Sequence, residues 1–281
     1  MPIEQNEIFE FGGEQFGTGL WVDDERPDTL PTLTSTLSQR LDEQDIREML
    51  DEPSRQPARL RFPSRQWIRN QGSRGSCNGY ACAWALARAR VSVGLPFVPL
   101  SGEFVYAAIN GGRDMGSRLE PGMNWIQANG AAPEDMVPRL EYLWRRISDE
   151  AKQAAKRFRG FEAYAAPTEM DLASGLALGF VGVVAVHFSN SMQRLDANGV
   201  AGRSNGVGNH SVGVDDLRWR SGRWEFDYFN SHGLRYGQEG KAWLTWDDHF
   251  QQTTRHHQFF LIRAAIDDPY DDFEPPQPQV I

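Results

Sequence analysis

From Cys77 to Val93 the chain reads CNGYACAWALARARVSV, and small or apolar residues fall on every face of a helix drawn through it. Tyr80, Ala81, Ala83, Trp84, Leu86 and Ala87 leave no side for water. Such a helix is stable only when other elements surround it. The remaining chain must supply that cover, and 281 residues with 40% hydrophobic content suffice for one large domain or two modest lobes. Ser101–Asn110 and Pro121–Asn129 read as further helices, the second with Pro in its first turn and Gly130 at its end.

After Phe161 the pattern changes to strands. Thr168 can cap a helix reaching Leu178, and VGVVAVHF at Val181–Phe188 then reads as a buried strand. His210–Leu217, Arg223–Asn230, Ala242–Trp246 and Gln258–Ile266 are strand candidates between turns bearing Gly, Ser and Asp. Helices first and strands afterwards predict an α+β molecule of two lobes with a cleft between them. The expected body is 60–266, divided into a helical lobe at 60–160 and a β-rich lobe at 161–266.

The two ends differ from this body. Residues 1–59 hold 14 acids and 5 arginines, whereas the other residues carry 24 of each sign. This segment has no sustained apolar period and only one helical candidate, Ser35–Leu50, with Leu37, Leu41, Ile46 and Leu50 as its stripe. It is expected to be an acidic arm or pro-segment. The tail 267–281 is acidic and Pro-rich, a composition expected to stay extended on its own. Leu60–Arg263 carries 24 bases against 19 acids, and this opposite net charge favours docking of the arm on the body or on a neighbouring copy.

Several classes are disfavoured. No concentrated basic face appears, so nucleic-acid binding is not expected. No apolar run is long enough for a membrane span. The N-terminus has neither the basic nor the apolar region of a secretory signal, which points to a cytoplasmic or virion-associated protein. Cys77 and Cys82 face different ways on a helix and are not expected to pair. His256 and His257 are adjacent in a candidate strand and point to opposite faces, poor geometry for a shared metal.

The chemically informative stretch is Asn70-Gln71-Gly72-Ser73-Arg74-Gly75-Ser76-Cys77. A cysteine at a helix N-terminus feels the positive end of the helix dipole, which favours thiolate. The Gly/Ser-rich loop lets backbone N–H groups turn toward a substrate oxygen, and Gln71 adds a neutral side-chain donor. A buried structural cysteine is the alternative on this segment alone. Further on, His210 opens one strand and Asn230 closes the next. Cys, His and Asn in this order suit thiolate–imidazolium catalysis, the amide fixing the ring's tautomer.

In these segments the chain resembles the papain-like cysteine peptidases. The similarity runs from about Phe62 to Ile266 and includes Asn-Ser-His-Gly at 230–233 and Tyr-Gly-Gln-Glu-Gly at 236–240. The resemblance implies the two-lobed papain-like fold, with Cys77 as nucleophile, His210 as acid and base, and Asn230 as its orienting partner. It implies an oxyanion hole of Gln71 and the Cys77 N–H, a polypeptide substrate, and neither metal nor organic cofactor. Gly116 and Ser117, or Asn110-Gly111-Gly112, resemble the family's glycine-rich substrate wall, and Asn209 is a further substrate-binding candidate.

The chain also departs from the family. Asn78 replaces the aromatic residue that usually follows the nucleophile. His232 replaces the tryptophan that covers the His–Asn bond, and Arg74 stands where many relatives have a disulfide cysteine. Asn78 and His232 are therefore expected to modulate the site. Two other functions use the same residues: a virion tail or capsid component that keeps the fold as an interaction module, and an acyltransferase or deamidase with the same thioester chemistry.

Overall fold

The computed structural model describes residues 7–11, 13–22, 30–36, 41–55, 64–253 and 259–264. Its centre is the helix α2, Cys77–Ser92, in which thirteen of sixteen residues are buried. Besides a single turn at Ser64–Trp67, three helices lie in the first part of the body among the described residues: α3 at Gly102–Ile109, α4 at Leu119–Ala128 and α5 at Asp149–Ala155. α3 starts where the Ser101 hydroxyl accepts the Phe104 N–H, and α5 where Ser148 does the same for Ala151. α4 begins two residues before Pro121, which occupies a first-turn position where no intrahelical N–H is needed.

Against α2 stands a six-stranded antiparallel sheet. The strands are β5 (Glu162–Ala165), β6 (Val181–Val186), β7 (His210–Arg220), β8 (Arg223–Phe229), β9 (Lys241–Thr245) and β10 (Phe259–Arg263). Their order is β5-β10-β6-β7-β8-β9. α2 packs on β7 and β6, and Gly213 of β7 makes this possible: a Cβ there would stand 2.1 Å from the Trp84 ring. The helix α6, Glu169–Ala177, covers β6 and β7 and carries a capping box in which Thr168 and Asp171 satisfy each other's backbone N–H. β6 is buried at every position, as a continuous apolar run demands.

Two expectations change. The Ser35–Leu50 helix is not continuous: one turn covers Leu33–Thr36, and a second helix, α1, runs Glu43–Asp51 from a capping box of Asp42 and Asp45. That box ends any helix arriving from the N-terminal side. β5 was unexpected because its burial alternates on two alanines, Ala163 and Ala165, a weak apolar signal. Part of the N-terminal arm lies on the body, as β1 (Ile8–Phe11), β2 (Glu14–Gly17) and β3 (Leu20–Trp21).

β1 and β2 form a hairpin, and β3 pairs in parallel with β4, Ser117–Arg118. Phe16, Thr18 and Leu20 are 2%, 0% and 1% exposed. The arm's C-terminal part is also anchored, since Arg55 donates to Asp216 of β7 at 2.6 Å. The tail 267–281 and His256-His257 lie outside the described residues. Among the described residues no helix is long and apolar enough to cross a membrane, and no three His, Cys, Asp or Glu side chains cluster as metal ligands.

Candidate active site

Cys77 is the first residue of α2, preceded by Ser76 in a non-helical conformation, with no acid in the first turn to oppose the dipole. The loop before it is held by one carboxylate. Asp114 accepts from Arg74 Nη1 at 2.8 Å, from the Gly75 N–H at 3.1 Å and from the Tyr106 hydroxyl at 3.0 Å. Tyr106 in turn accepts the Gly116 N–H at 3.0 Å. Where relatives are expected to have a disulfide cysteine, this chain uses an ion pair supported by two neutral hydrogen bonds.

His210 opens β7 and Asn230 follows β8, and the antiparallel pairing of these strands brings them together. His210 Nε2 donates to Asn230 Oδ1 at 2.9 Å, which leaves Nδ1 as the free ring nitrogen, buried and without a hydrogen-bond partner. Burial drives the His210 ring down to about 4, against a smaller rise from the Asn230 bond. Burial likewise pushes the Cys77 thiol up to about 11, opposed by hydrogen bonds from the backbone at Ser211, Gly19, Asn78 and Cys77 itself. In this closed arrangement both groups are neutral near pH 7.

Gln71 approaches from the other side. Its Nε2 donates to the Gly17 carbonyl at 2.7 Å and to Arg74 O at 2.9 Å, and its Oε1 accepts from the Ser231 hydroxyl. The segments carrying Gln71 and Asn230 are joined by backbone: Gln71 N–H donates to Ser231 O at 2.9 Å, Gly233 N–H donates to Arg69 O at 3.0 Å, and Asn70 bridges His232.

The chain's own strap, Phe16–Trp21, runs across these segments. Gly17 N–H donates to Gly72 O at 3.1 Å, Leu20 N–H to Asn209 O at 3.1 Å, and the Ser117 N–H donates to Gly19 O at 2.8 Å. Two glycines permit this approach. A Cβ on Gly17 would lie 2.6 Å from Arg74 O, and one on Gly19 only 2.2 Å from Gly75 O. The sequence-derived substrate residues Gly116, Ser117 and Asn209 thus all meet the strap, whereas Asn110-Gly111-Gly112 forms a turn with exposed glycines. The Asn209 side chain has structural work too, exchanging hydrogen bonds with the Phe188 backbone and reaching Glu7 at 3.2 Å.

The two residues expected to modulate the site both have partners. Asn78 donates to Ser117 Oγ at 3.2 Å and to Arg118 O, and accepts from the Cys82 thiol at 3.3 Å. Gly122 of α4 packs directly on Asn78 and Cys82, a Cβ there standing 2.8 Å from the Cys82 sulfur. No space exists for an indole. His232 stacks on Phe16, with centroids 4.6 Å apart, and meets Phe188 edge-on at 4.7 Å. Phe16 and Phe188 were not legible as site residues, because neither lies beside a motif.

No model of a known protein family matches this sequence, and no curated protein matches it. Solved structures do resemble it in fold. Xylellain, a cysteine protease from Xylella fastidiosa, is 21% identical with a TM-score of 0.56, over 71% of this chain and 83% of its own. Procathepsin B S9 from Trypanosoma congolense is 15% identical with a TM-score of 0.61, over 86% and 85%. The bromelain protease from Ananas comosus in complex with the E64 inhibitor is 17% identical with a TM-score of 0.58, over 73% and 98%. Helical first part, antiparallel sheet and these likenesses together give one conclusion: the chain has the fold of the papain-like cysteine proteases.

Proposed function

We propose that this chain is a thiol peptidase held in a latent state by its own strap. The observation that carries this reading is the bond from His210 Nε2 to Asn230 Oδ1, which leaves the other imidazole nitrogen, Nδ1, buried and without a hydrogen-bond partner. Once the strap leaves and water enters, the desolvation that keeps Cys77 and His210 neutral is relieved, and the thiolate–imidazolium pair becomes accessible.

In the forward reaction the Cys77 sulfur bonds to a peptide carbonyl carbon. The resulting oxyanion takes hydrogen bonds from Gln71 Nε2 and the Cys77 N–H. His210 gives its Nδ1 proton to the departing amine as the C–N bond breaks. It then takes a proton from water, which attacks the thioester and regenerates the thiol. Asn230 keeps the proton on Nε2 throughout, so Nδ1 is the atom that exchanges protons.

The strap supports latency rather than self-cleavage. Its Gly17 carbonyl occupies the Gln71 donor, but the nitrogen of the same peptide, on Thr18, donates to Glu7 O at 2.8 Å. That leaving nitrogen is engaged elsewhere and is not offered to His210.

The test is a Gly19→Leu variant, whose side chain cannot coexist with the Gly75 carbonyl. Expelling the strap should raise both alkylation of Cys77 by iodoacetamide and hydrolysis of an unfolded protein substrate by about tenfold or more. Cys77→Ala in the same background should abolish hydrolysis. A folded Gly19→Leu protein with labelled Cys77 and no hydrolysis would refute the peptidase reading.

A further inference from the structure

Asn230 has two sides, and the proposed mechanism uses only one. Its Oδ1 accepts from His210 Nε2, while its Nδ2 stands 3.2 Å from Nδ1 of His232. With Asn230 Oδ1 turned toward His210 its NH2 donates, and this arrangement puts the lone pair on His232 Nδ1 and the proton on Nε2, the form a neutral imidazole ordinarily prefers. Nε2 is buried and has no hydrogen-bond partner. A ring free to choose would put its protonated nitrogen toward a partner; here the partnered nitrogen is the bare one.

The surroundings hold the ring neutral. Phe16 stacks on one face at 4.6 Å, Phe188 and Tyr236 meet it edge-on at 4.7 and 6.0 Å, and His210 lies 4.8 Å away. His232 is 2% exposed. Burial, with the neighbouring His210 as a lesser cause, holds it well below the usual imidazole range, so it is neutral and keeps its lone pair. The backbone fixes the ring's position as well, since Asn70 bridges His232 and the next residue, Gly233, donates to Arg69 O.

We propose that His232 is a positioning residue: its Nδ1 accepts the Asn230 amide hydrogen, and this fixes the amide oxygen toward His210. Without that acceptor the Asn230 amide has no reason to prefer the orientation that serves catalysis. A flipped amide would present NH2 to His210 Nε2, move the ring proton to Nδ1, and leave Nδ1 no lone pair with which to take a proton. A hydrophobic cover alone does not discriminate between these two orientations; a one-sided acceptor does. His232 is thus more than a substitute for an aromatic lid, although its ring also excludes water from the bond.

The inference rests on the thiol-peptidase reading for its functional meaning, but its test does not need turnover. Imidazole nitrogen NMR on the full chain should show His232 with Nδ1 bare and Nε2 protonated, and His210 protonated on Nε2. His232→Phe keeps a flat apolar ring and removes the acceptor; His232→Asn restores an acceptor near the place of Nδ1. The His210 Nε2–H should exchange with solvent about tenfold faster in the Phe variant, and within about twofold of the unaltered protein in the Asn variant. A protonated His232 Nδ1, or His210 Nε2–H exchange unchanged in a folded Phe variant, would overturn the proposal. Absence of hydrolysis with these NMR results intact would count against the peptidase reading alone.

Discussion

The carbonyl oxygen of Gly17 stands 2.7 Å from Nε2 of Gln71, the donor that the proposed mechanism assigns to the oxyanion. One group therefore serves two partners, the strap in the resting protein and the developing negative charge in turnover.

Gln71→Ala separates the two roles. Loss of an oxyanion donor should lower kcat by roughly a hundredfold to a thousandfold. The same change removes an anchor of the strap, so iodoacetamide should label Cys77 at least as fast as in the unaltered protein. Parallel measurement of both rates checks this, and equal loss of both would mean that Gln71 acts through the fold.

Alkylation of the strapped protein should depend steeply on pH. Burial pushes the Cys77 thiol up to about 11, so the thiolate fraction rises about tenfold per pH unit through the neutral range. A rate profile flat between pH 6 and pH 9 would show that Cys77 is already a thiolate beneath the strap.

Stability should fall on the acid side. His210 is held at about 4 against an ordinary 6.5, and His232 is also held low, so the unfolded chain binds more protons than the folded one in this interval. The folded state loses free energy as pH falls from about 6.5 to about 4, and His210 adds no further loss below that. Thermal unfolding across this window checks the sign: Tm should drop with each step toward pH 4.

Asp114→Ala removes the shared acceptor of Arg74, Gly75 and Tyr106. The Arg74 ion pair is partly exposed and contributes little, but the orphaned Gly75 N–H and Tyr106 hydroxyl should cost about 2 kcal/mol. Urea unfolding measures this, and replacing Arg74 and Asp114 together should cost no more than Asp114 alone.

Asn78→Trp, which restores the aromatic residue of relatives, should destabilise by about 1–3 kcal/mol through overpacking against Gly122. A Tm equal to that of the unaltered protein would mean that α4 can shift to admit the ring.

The three proposed catalytic residues stand out in the sequence because each stands at an element boundary beside a local signature: a Gly/Ser loop into an apolar helix at Cys77, a strand start at His210, a strand end at Asn230. The strap was not. Its partners, Gly116 and Ser117, lie about a hundred residues away, and Gly17-Thr18-Gly19 looks like any flexible turn until the Gly75 carbonyl is placed against it. Asp114 was hidden for the same reason, since nothing adjacent in sequence marks it as the partner of Arg74.

The backbone bridges from 69–71 to 231–233 have a mechanical consequence. Gln71 belongs to the segment entering α2, Asn230 and His232 to the segment leaving β8, yet the two segments are sewn edge to edge by main-chain bonds. The halves of the molecule cannot spread at this seam without breaking those stitches. On the proposed peptidase reading, a long polypeptide is admitted by lifting the covering strand out of its furrow, like a bolt drawn from a fixed lock, while the walls stay where they are.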